Sequence, residues 1–351
     1  MSPDKILEKY RNLVWPVVKS YLVTPEFPKP FAIDPKYKKM EKLYWKIVSE
    51  YPERKGKYIR PTLVLLSAIA MGQKANRIKN VAAAMQLSED WILIHDDWED
   101  KSHQRRGAPT LHKMYSDELA VNAGDGLHAV MWKAFFDTQK ILGEDTTLKL
   151  LDEFYRQLIR TTMGQSTEIY WSQKNVFSFS DSDWFFIADG KTSYYTIACP
   201  MRLGGIVAEA TDKQLELLAE FGVYLGRCFQ LVDDILDVTS DFSGLKEMGN
   251  DIYEGKKTLI LGHLLRRANQ KDMVKLHKIL GKSRENKTEA EVSWVIERMK
   301  HYKSIEYAQK KAADYKKKAM KMFETKLKFL KREPARTSLK TLINFMLERK
   351  Y

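Results

Sequence analysis

Residues 91–100 read WILIHDDWED (Trp91 to Asp100), an apolar run that ends in four carboxylates within five positions. Such crowding is costly, because like charges one helical turn apart repel and carboxylates beside apolar side chains lose hydration. Residues 228–237 read CFQLVDDILD, so Asp233, Asp234 and Asp237 repeat the D-D-x-x-D form of Asp96, Asp97 and Asp100 after a similar apolar approach. On a helix the first and last aspartate of each set share one face, one turn apart. A helix that merely ends in acids at the solvent accounts for one such set. Two sets of equal spacing argue for a compensating cation. Oxygen donors without Cys or His point to a hard ion such as Mg²⁺, which keeps positions open for phosphate oxygens.

The sequence around these sets is helical in pattern. Val81 to Ile94 and Leu215 to Leu236 carry amphipathic periodicity, and alternating β-branched runs between turn signals are nearly absent, so the spacing predicts an all-α protein. Prolines mark a loop over residues 24–35, and further turns are expected around Gly143 and from Gly281. None of these resembles an interdomain linker, and no repeat of solenoid length is present, so residues 1–351 are expected to form a single domain.

Composition narrows the class. The 351 residues, 44% hydrophobic and 11% aromatic, are ample for a sizeable core. Two cysteines, Cys199 and Cys228, are too few for a disulfide framework or zinc site and suit a reducing, cytoplasmic setting. No apolar run has membrane-span length and the N-terminus lacks a signal-peptide pattern, so stable membrane insertion is not expected. The formal charge of +13 suggests an anionic partner. Much of it lies in the basic helices expected over residues 290–351, notably Lys310 to Glu333, as a solvated surface or as a patch beside a phosphate site or acidic lipid. No nucleic-acid-binding module is recognisable, and no nucleic-acid partner is expected.

Basic residues accompany the acidic sets. KGKYIRP (Lys55 to Pro61) puts Lys57 and Arg60 three apart, on one face of an expected helix; Arg105 and Arg106 follow the first acidic set; Lys191 and Thr192 lie in DGKTSYY. Cationic forks beside metal-binding carboxylates suit a diphosphate. Gly190-Lys191-Thr192 mimics the end of a phosphate-binding loop, but Phe185 stands where its first glycine belongs and no strand precedes it.

With these residues in order, the sequence resembles the trans-polyprenyl diphosphate synthase family, the head-to-tail isoprenoid elongation enzymes of farnesyl and geranylgeranyl type. The motifs are GKYIRP, LIHDDWED with RRGAPT, NAGD (Asn122 to Asp125), Gly164-Gln165, GKT, FQLVDDILD and GLKEMGNDIYEGKKT, spanning residues 55–258. The resemblance implies a helical bundle around a deep central cavity (the isoprenoid synthase fold), usually as a homodimer, with the two aspartate-rich helices facing each other. It implies Mg²⁺ held by Asp96, Asp100 and Asp233, with Asp97, Asp234 and Asp237 in support. An allylic diphosphate would be gripped by Lys191, Arg105 and Lys246, and isopentenyl diphosphate by Lys57, Arg60 and Arg106. Oxygens of Gln230, Thr192 and Gln165 would lie along the developing allylic cation, in a site that excludes water.

Two positions qualify the resemblance. Seven residues before Asp96, where the family carries His or Gln toward isopentenyl diphosphate, stands Glu89. Either Glu89 pairs with Lys57 or Arg60 or turns away, or binding of that substrate is weakened or altered. Trp91, five before Asp96, follows Ser88 and Ala84 at helical spacing, so it is either ordinary core or a floor that halts chain growth. As a floor it resembles that of archaeal-type geranylgeranyl synthases. A class I terpene cyclase is disfavoured by the intact second acidic set, and a non-catalytic isoprenoid-binding subunit by the completeness of both sets, with Glu89 its one support.

Overall fold

The computed structural model describes residues 1–240 and 248–347. Seventeen α-helices run through them: α1 (Pro3–Tyr21), α2 (Lys38–Arg54), α3 (Ile59–Ala70), α4 (Ala75–Glu99), α5 (Leu111–Met114), α6 (Asp117–Phe136), α7 (Gln139–Leu142), α8 (Glu144–Gln173), α9 (Asp181–Ala188), α10 (Cys199–Val207), α11 (Asp212–Thr239), α12 (Asn250–Glu254), α13 (Leu259–Arg267), α14 (Gln270–Leu280), α15 (Glu289–His301), α16 (Ser304–Thr325) and α17 (Ala335–Leu347). The all-α expectation holds. The strands among the described residues are β1 (Gln104–Arg105) and β2 (Ala108–Pro109), one antiparallel hairpin. The proline-rich segment forms two short 3₁₀ turns, Lys29–Phe31 and Pro35–Tyr37.

The helices gather into two compact units. The first comprises Met1–Asp152, Leu203–Ala210 and Arg332–Ser338, the second the remaining described residues. In the first, α4 is central: Val81 to Trp91 are all buried, and α1, α3 and α6 pack against it. A run buried without a break must be covered on every side, and the small Ala82, Ala83 and Ala84 let neighbours approach closely. Near its end polar residues take over, which is where the first acidic set falls.

In the second unit α11 is central, packed by α16 and by a π-helical stretch, Asp189–Ala198. Its start is fixed by a capping box in which Thr211 and Gln214 each satisfy the other's backbone N–H. α16 buries Ile305, Ala308, Ala312, Tyr315, Ala319, Met322 and Phe323, a stripe at helical spacing. Lys310, Lys317, Lys318 and Lys321 lie exposed outside that stripe, which fits the solvated-surface reading of the basic run. A groove of about 640 Å³ runs between residues 177–180 and 265–277, lined by none of the expected site residues. Both cysteines are buried free thiols, and among the described residues no helix is long and apolar enough to cross a membrane.

Candidate active site

In the first unit the three aspartates have different surroundings. The backbone N–H of Asp100 donates to the carbonyl of Asp96 at 2.9 Å, so the helical turn between them is intact and both, half-buried, lie on one face. Asp97 is fully buried. Its carboxylate accepts from the Tyr51 hydroxyl at 2.6 Å and from Arg105 Nε at 2.9 and 3.0 Å, and Arg105 Nη2 also contacts it. Burial, and then the charge of Asp97, push the Tyr51 phenol well up, so it remains a donor. Arg105 Nη2 also reaches to 3.6 Å from Asp96.

The hairpin that carries Arg105 and Arg106 turns through Arg106 and Gly107, both at positive φ (53° and 77°), as a two-residue turn demands. Arg106 is thereby aimed back at α4. Its Nη1 donates to the Tyr51 carbonyl at 2.7 Å and to Asp90 Oδ1 at 2.8 Å, and its Nη2 to Glu89 Oε1 at 3.4 Å. Gly56 lets the preceding loop come close, since a Cβ there would stand 2.7 Å from Arg106 Nη2. Arg60 Nη1 lies 3.2 Å from Glu89 Oε2, so Glu89 pairs with Arg60 and Arg106 and bridges the two arginines.

Lys57 departs from the expected helical face. α3 begins only at Ile59, because Lys55 and Tyr58 adopt left-handed backbone (φ 47° and 61°), so Lys57 sits on the loop ahead of Arg60. Asp90, which carried no expectation, is fully buried. Burial pushes its carboxyl up to about 6 even though Arg106 pulls it down, and Glu89 adds to the rise.

The second unit builds a different cluster. Lys191 and Thr192 lie in the π-helical stretch rather than in a loop after a strand, a local widening frequent at functional sites. Gly164 of α8 admits that stretch, as a Cβ would meet the Lys191 amide at 3.2 Å. Lys191 Nζ pairs with Glu168 at 2.7 Å, a carboxylate one turn beyond Gly164. Thr192 Oγ1 donates to Gln230 Oε1 at 2.5 Å, and Gln230 Nε2 to Asp234 Oδ1 at 2.7 Å. Gln165, on the same turn of α8 as Glu168, is half-buried.

Asp233 is exposed, Asp234 and Asp237 are buried. Asp237 accepts from the Asp251 amide at 3.1 Å and its carbonyl from Gly249 at 2.8 Å, which ties the end of α11 to α12. Burial, then the charge of Asp251, push the Asp234 carboxyl well above the carboxylate range, against the hydrogen bond from Gln230; Asp233 and Glu168 add to the rise. Its Oδ2 is buried without a hydrogen-bond partner. Lys246 lies outside the described residues.

Within each unit, no three His, Cys, Asp or Glu side chains among the described residues converge closely enough to enclose a metal. Each unit nevertheless offers donors of the right chemistry. Half-buried Asp96 and Asp100 in the first, and exposed Asp233 and the unpartnered Asp234 Oδ2 in the second, are hard oxygens, the kind Mg²⁺ takes from protein while it keeps phosphate and water in its remaining positions.

Trp91 turns toward α6. Its Nε1 points at Met131 Sδ (3.4 Å), and its ring lies 4.4 Å from that of His128 and 5.6 Å, edge-on, from that of His95. Ser88 and Ala84 are fully buried on the preceding turns, and the Ser88 hydroxyl is spent on the Met85 carbonyl at 2.7 Å.

The all-helical fold and the two aspartate sets with adjoining cationic forks define a diphosphate-handling enzyme class. The polyprenyl synthetase family profile matches residues 41–299, and the chain belongs to that family: it is a short-chain prenyltransferase. It is 33% identical over 297 residues to a short chain isoprenyl diphosphate synthase of Methanothermobacter thermautotrophicus, covering 84% of this chain and 87% of that one. It is also 33% identical to a geranylgeranyl diphosphate synthase of Saccharolobus solfataricus, over 74% of this chain and 77% of that one. Among solved structures, a geranylgeranyl pyrophosphate synthetase from Pyrococcus horikoshii superposes with a TM-score of 0.83 at 28% identity, over 99% of this chain and 98% of that one.

Proposed function

We propose that this prenyltransferase condenses isopentenyl diphosphate with an allylic diphosphate, head to tail, and that its product is geranylgeranyl diphosphate. The observation that carries the reading is the division of labour in the first acidic set: Asp97 is neutralised by Arg105 and Tyr51, while Asp96 and Asp100 keep one common, half-buried face.

Asp96 and Asp100, with Asp233, are the proposed Mg²⁺ ligands; bound Mg²⁺ supplies positive charge that stabilises the departing pyrophosphate. Lys191, Arg105 and Lys246 orient the allylic diphosphate. Lys57, Arg60 and Arg106 anchor isopentenyl diphosphate, whose double bond attacks the allylic carbon as its bond to oxygen breaks. Gln230, Thr192 and Gln165 direct oxygens along the positive charge that develops, and the proton lost afterwards goes to the pyrophosphate. The apolar approach of α4 keeps water from that charge. Trp91, backed by His128 and Met131, is the floor that stops growth at twenty carbons.

A homodimer completes the proposal. Tyr155, Ile159, Met163 and Tyr170 are exposed on α8 at spacings of four, four and seven, an apolar stripe of the kind a second copy covers. The buried thiols suit the cytoplasm. Incubation with labelled isopentenyl diphosphate, Mg²⁺ and each allylic primer in turn, with products sized by chromatography, tests the reading. Twenty-carbon product supports it. No elongation of any primer overturns it.

A further inference from the structure

Around Arg106 the first unit buries more polar chemistry than an anchor for a diphosphate needs. The Tyr58 hydroxyl, Gln86 Oε1 and Asp90 Oδ2 are all buried without a hydrogen-bond partner, an arrangement that costs stability. Such groups are retained in folded proteins where they serve a purpose other than stability. Asp90 is their centre: Gln86 Nε2 donates to its Oδ1 at 3.1 Å, and Arg106 Nη1 to the same oxygen at 2.8 Å. Glu89, by contrast, retains slight exposure and spans two arginines at longer range, so its contacts are exchangeable where that of Asp90 is built in.

We propose that Asp90 is a positioning residue for the homoallylic diphosphate, holding the Arg106 guanidinium from beneath so that its other N–H groups are presented to the phosphate as Glu89 gives way. The proposal rests on the reading that Arg106 anchors isopentenyl diphosphate. A buried carboxylate fixes a guanidinium more firmly than backbone carbonyls do, because the bond is charge-assisted and the surroundings exclude water.

The grip requires Asp90 to be ionised. The charged groups facing it are Arg106 from the hairpin and Glu89 on its own helix, with Arg60 reached through Glu89. Tyr58, from the start of α3, stays protonated, its phenol pushed up by burial and then by Asp90 and Glu89; Arg11 of α1 acts on Tyr58 in the opposite direction. As pH falls through about 6, Asp90 takes a proton and releases Arg106, so the Michaelis constant for isopentenyl diphosphate rises.

The test is steady-state kinetics with isopentenyl diphosphate varied at saturating allylic primer, across that pH range, for the wild type, Asp90→Asn and Arg106→Ala. The expected result for Asp90→Asn is a Michaelis constant for isopentenyl diphosphate raised roughly 10- to 100-fold, the loss of one charge-assisted bond, with kcat and the allylic Michaelis constant little changed. Its Michaelis constant also loses the wild type's extra rise below about pH 6, which separates Asp90 from protonation of the substrate itself. An unchanged Michaelis constant in Asp90→Asn, with a raised one in Arg106→Ala, overturns the role of Asp90 and leaves the anchor standing. An unchanged constant in Arg106→Ala overturns the anchor itself. Should Asp90→Asn not fold, the wild-type profile is set against that of Arg106→Ala: a relative rise toward acid no steeper in the wild type overturns the proposal, and a steeper one supports it.

Discussion

The Tyr51 hydroxyl donates to Asp97 Oδ2 at 2.6 Å, joining α2 to the middle aspartate of the first acidic set at a fully buried position. Arg105 forks onto the same carboxylate, so Asp97 serves the local structure while its neighbours face outward. Tyr51→Phe removes one donor and leaves the fork; it is expected to cost about 1–2 kcal/mol. Asp97→Asn leaves Arg105 only the more distant carboxylate of Asp96 and is expected to cost about 3–5 kcal/mol. Urea denaturation of both variants checks the order, and equal costs would contradict the assignment of Arg105 as principal partner.

Glu89 stands 3.2 Å from Arg60 and 3.4 Å from Arg106, occupying two cations proposed to receive a diphosphate. Replacing it by His removes a competing carboxylate. The Michaelis constant for isopentenyl diphosphate is expected to hold or fall in Glu89→His, by up to about tenfold for 1.4 kcal/mol of relieved competition. A rise, measured with the allylic primer saturating, would show that Glu89 takes a positive part in binding.

Much of this arrangement was legible in the sequence because the chemistry imposes spacings that survive in one dimension. Carboxylates four apart after an apolar run can be read without coordinates, and so can the oddity of Glu89. Asp90 could not: it is one more acid beside Glu89, and its partner Arg106 is sixteen residues away, across a turn that depends on a non-glycine residue at positive φ. The same kind of backbone at Lys55 and Tyr58 put Lys57 on a loop where its spacing from Arg60 suggested a helix. Glu168 left only a faint signal, an acid one turn beyond Gly164. The π-helical register of residues 189–198 left none, since its apolar positions read like those of an ordinary helix.

Trp91 lies against His128 and Met131 of α6, so removing its ring opens space toward that helix as well as down α4. Trp91→Ala is expected to lengthen the product by at least one isoprene unit. It is also expected to cost about 3–5 kcal/mol, as for other buried aromatics truncated to Ala. Chromatography of the dephosphorylated products reads the first effect; an unaltered length distribution would reduce Trp91 to core packing.

Asp96, Asp100 and Asp233 are the least buried members of their sets, so their removal should spare the fold and strike the reaction. Each Ala variant is expected to lose roughly 100-fold or more in kcat, comparable to deleting a group that stabilises charge in the transition state, with thermal stability near wild type. Chelation of divalent ions should abolish wild-type activity and Mg²⁺ should restore it. Activity that survives exhaustive chelation would remove these carboxylates from a metal-binding role.

Lys257 offers a test of stability away from the proposed chemistry. Its ammonium is buried without a hydrogen-bond partner, 5.2 Å from the centre of the Phe177 ring, and burial, with the charge of Lys287, lowers its pKa from 10.5 to about 8. Between those values the unfolded chain holds a proton that the folded one lacks, so the Lys257 contribution to stability rises with pH, by at most about 1.4 kcal/mol per unit. Below about 8 both states are protonated and the full penalty of burying the charge remains. Lys257→Met keeps the length of the side chain and removes the charge. It is therefore expected to be more stable than wild type at neutral pH, with an advantage that shrinks as pH climbs from about 8 toward 10.5. Urea titrations of both proteins across that window read the difference directly, and an advantage that stayed constant with pH would mean that Lys257 keeps its ordinary ionisation in the folded protein.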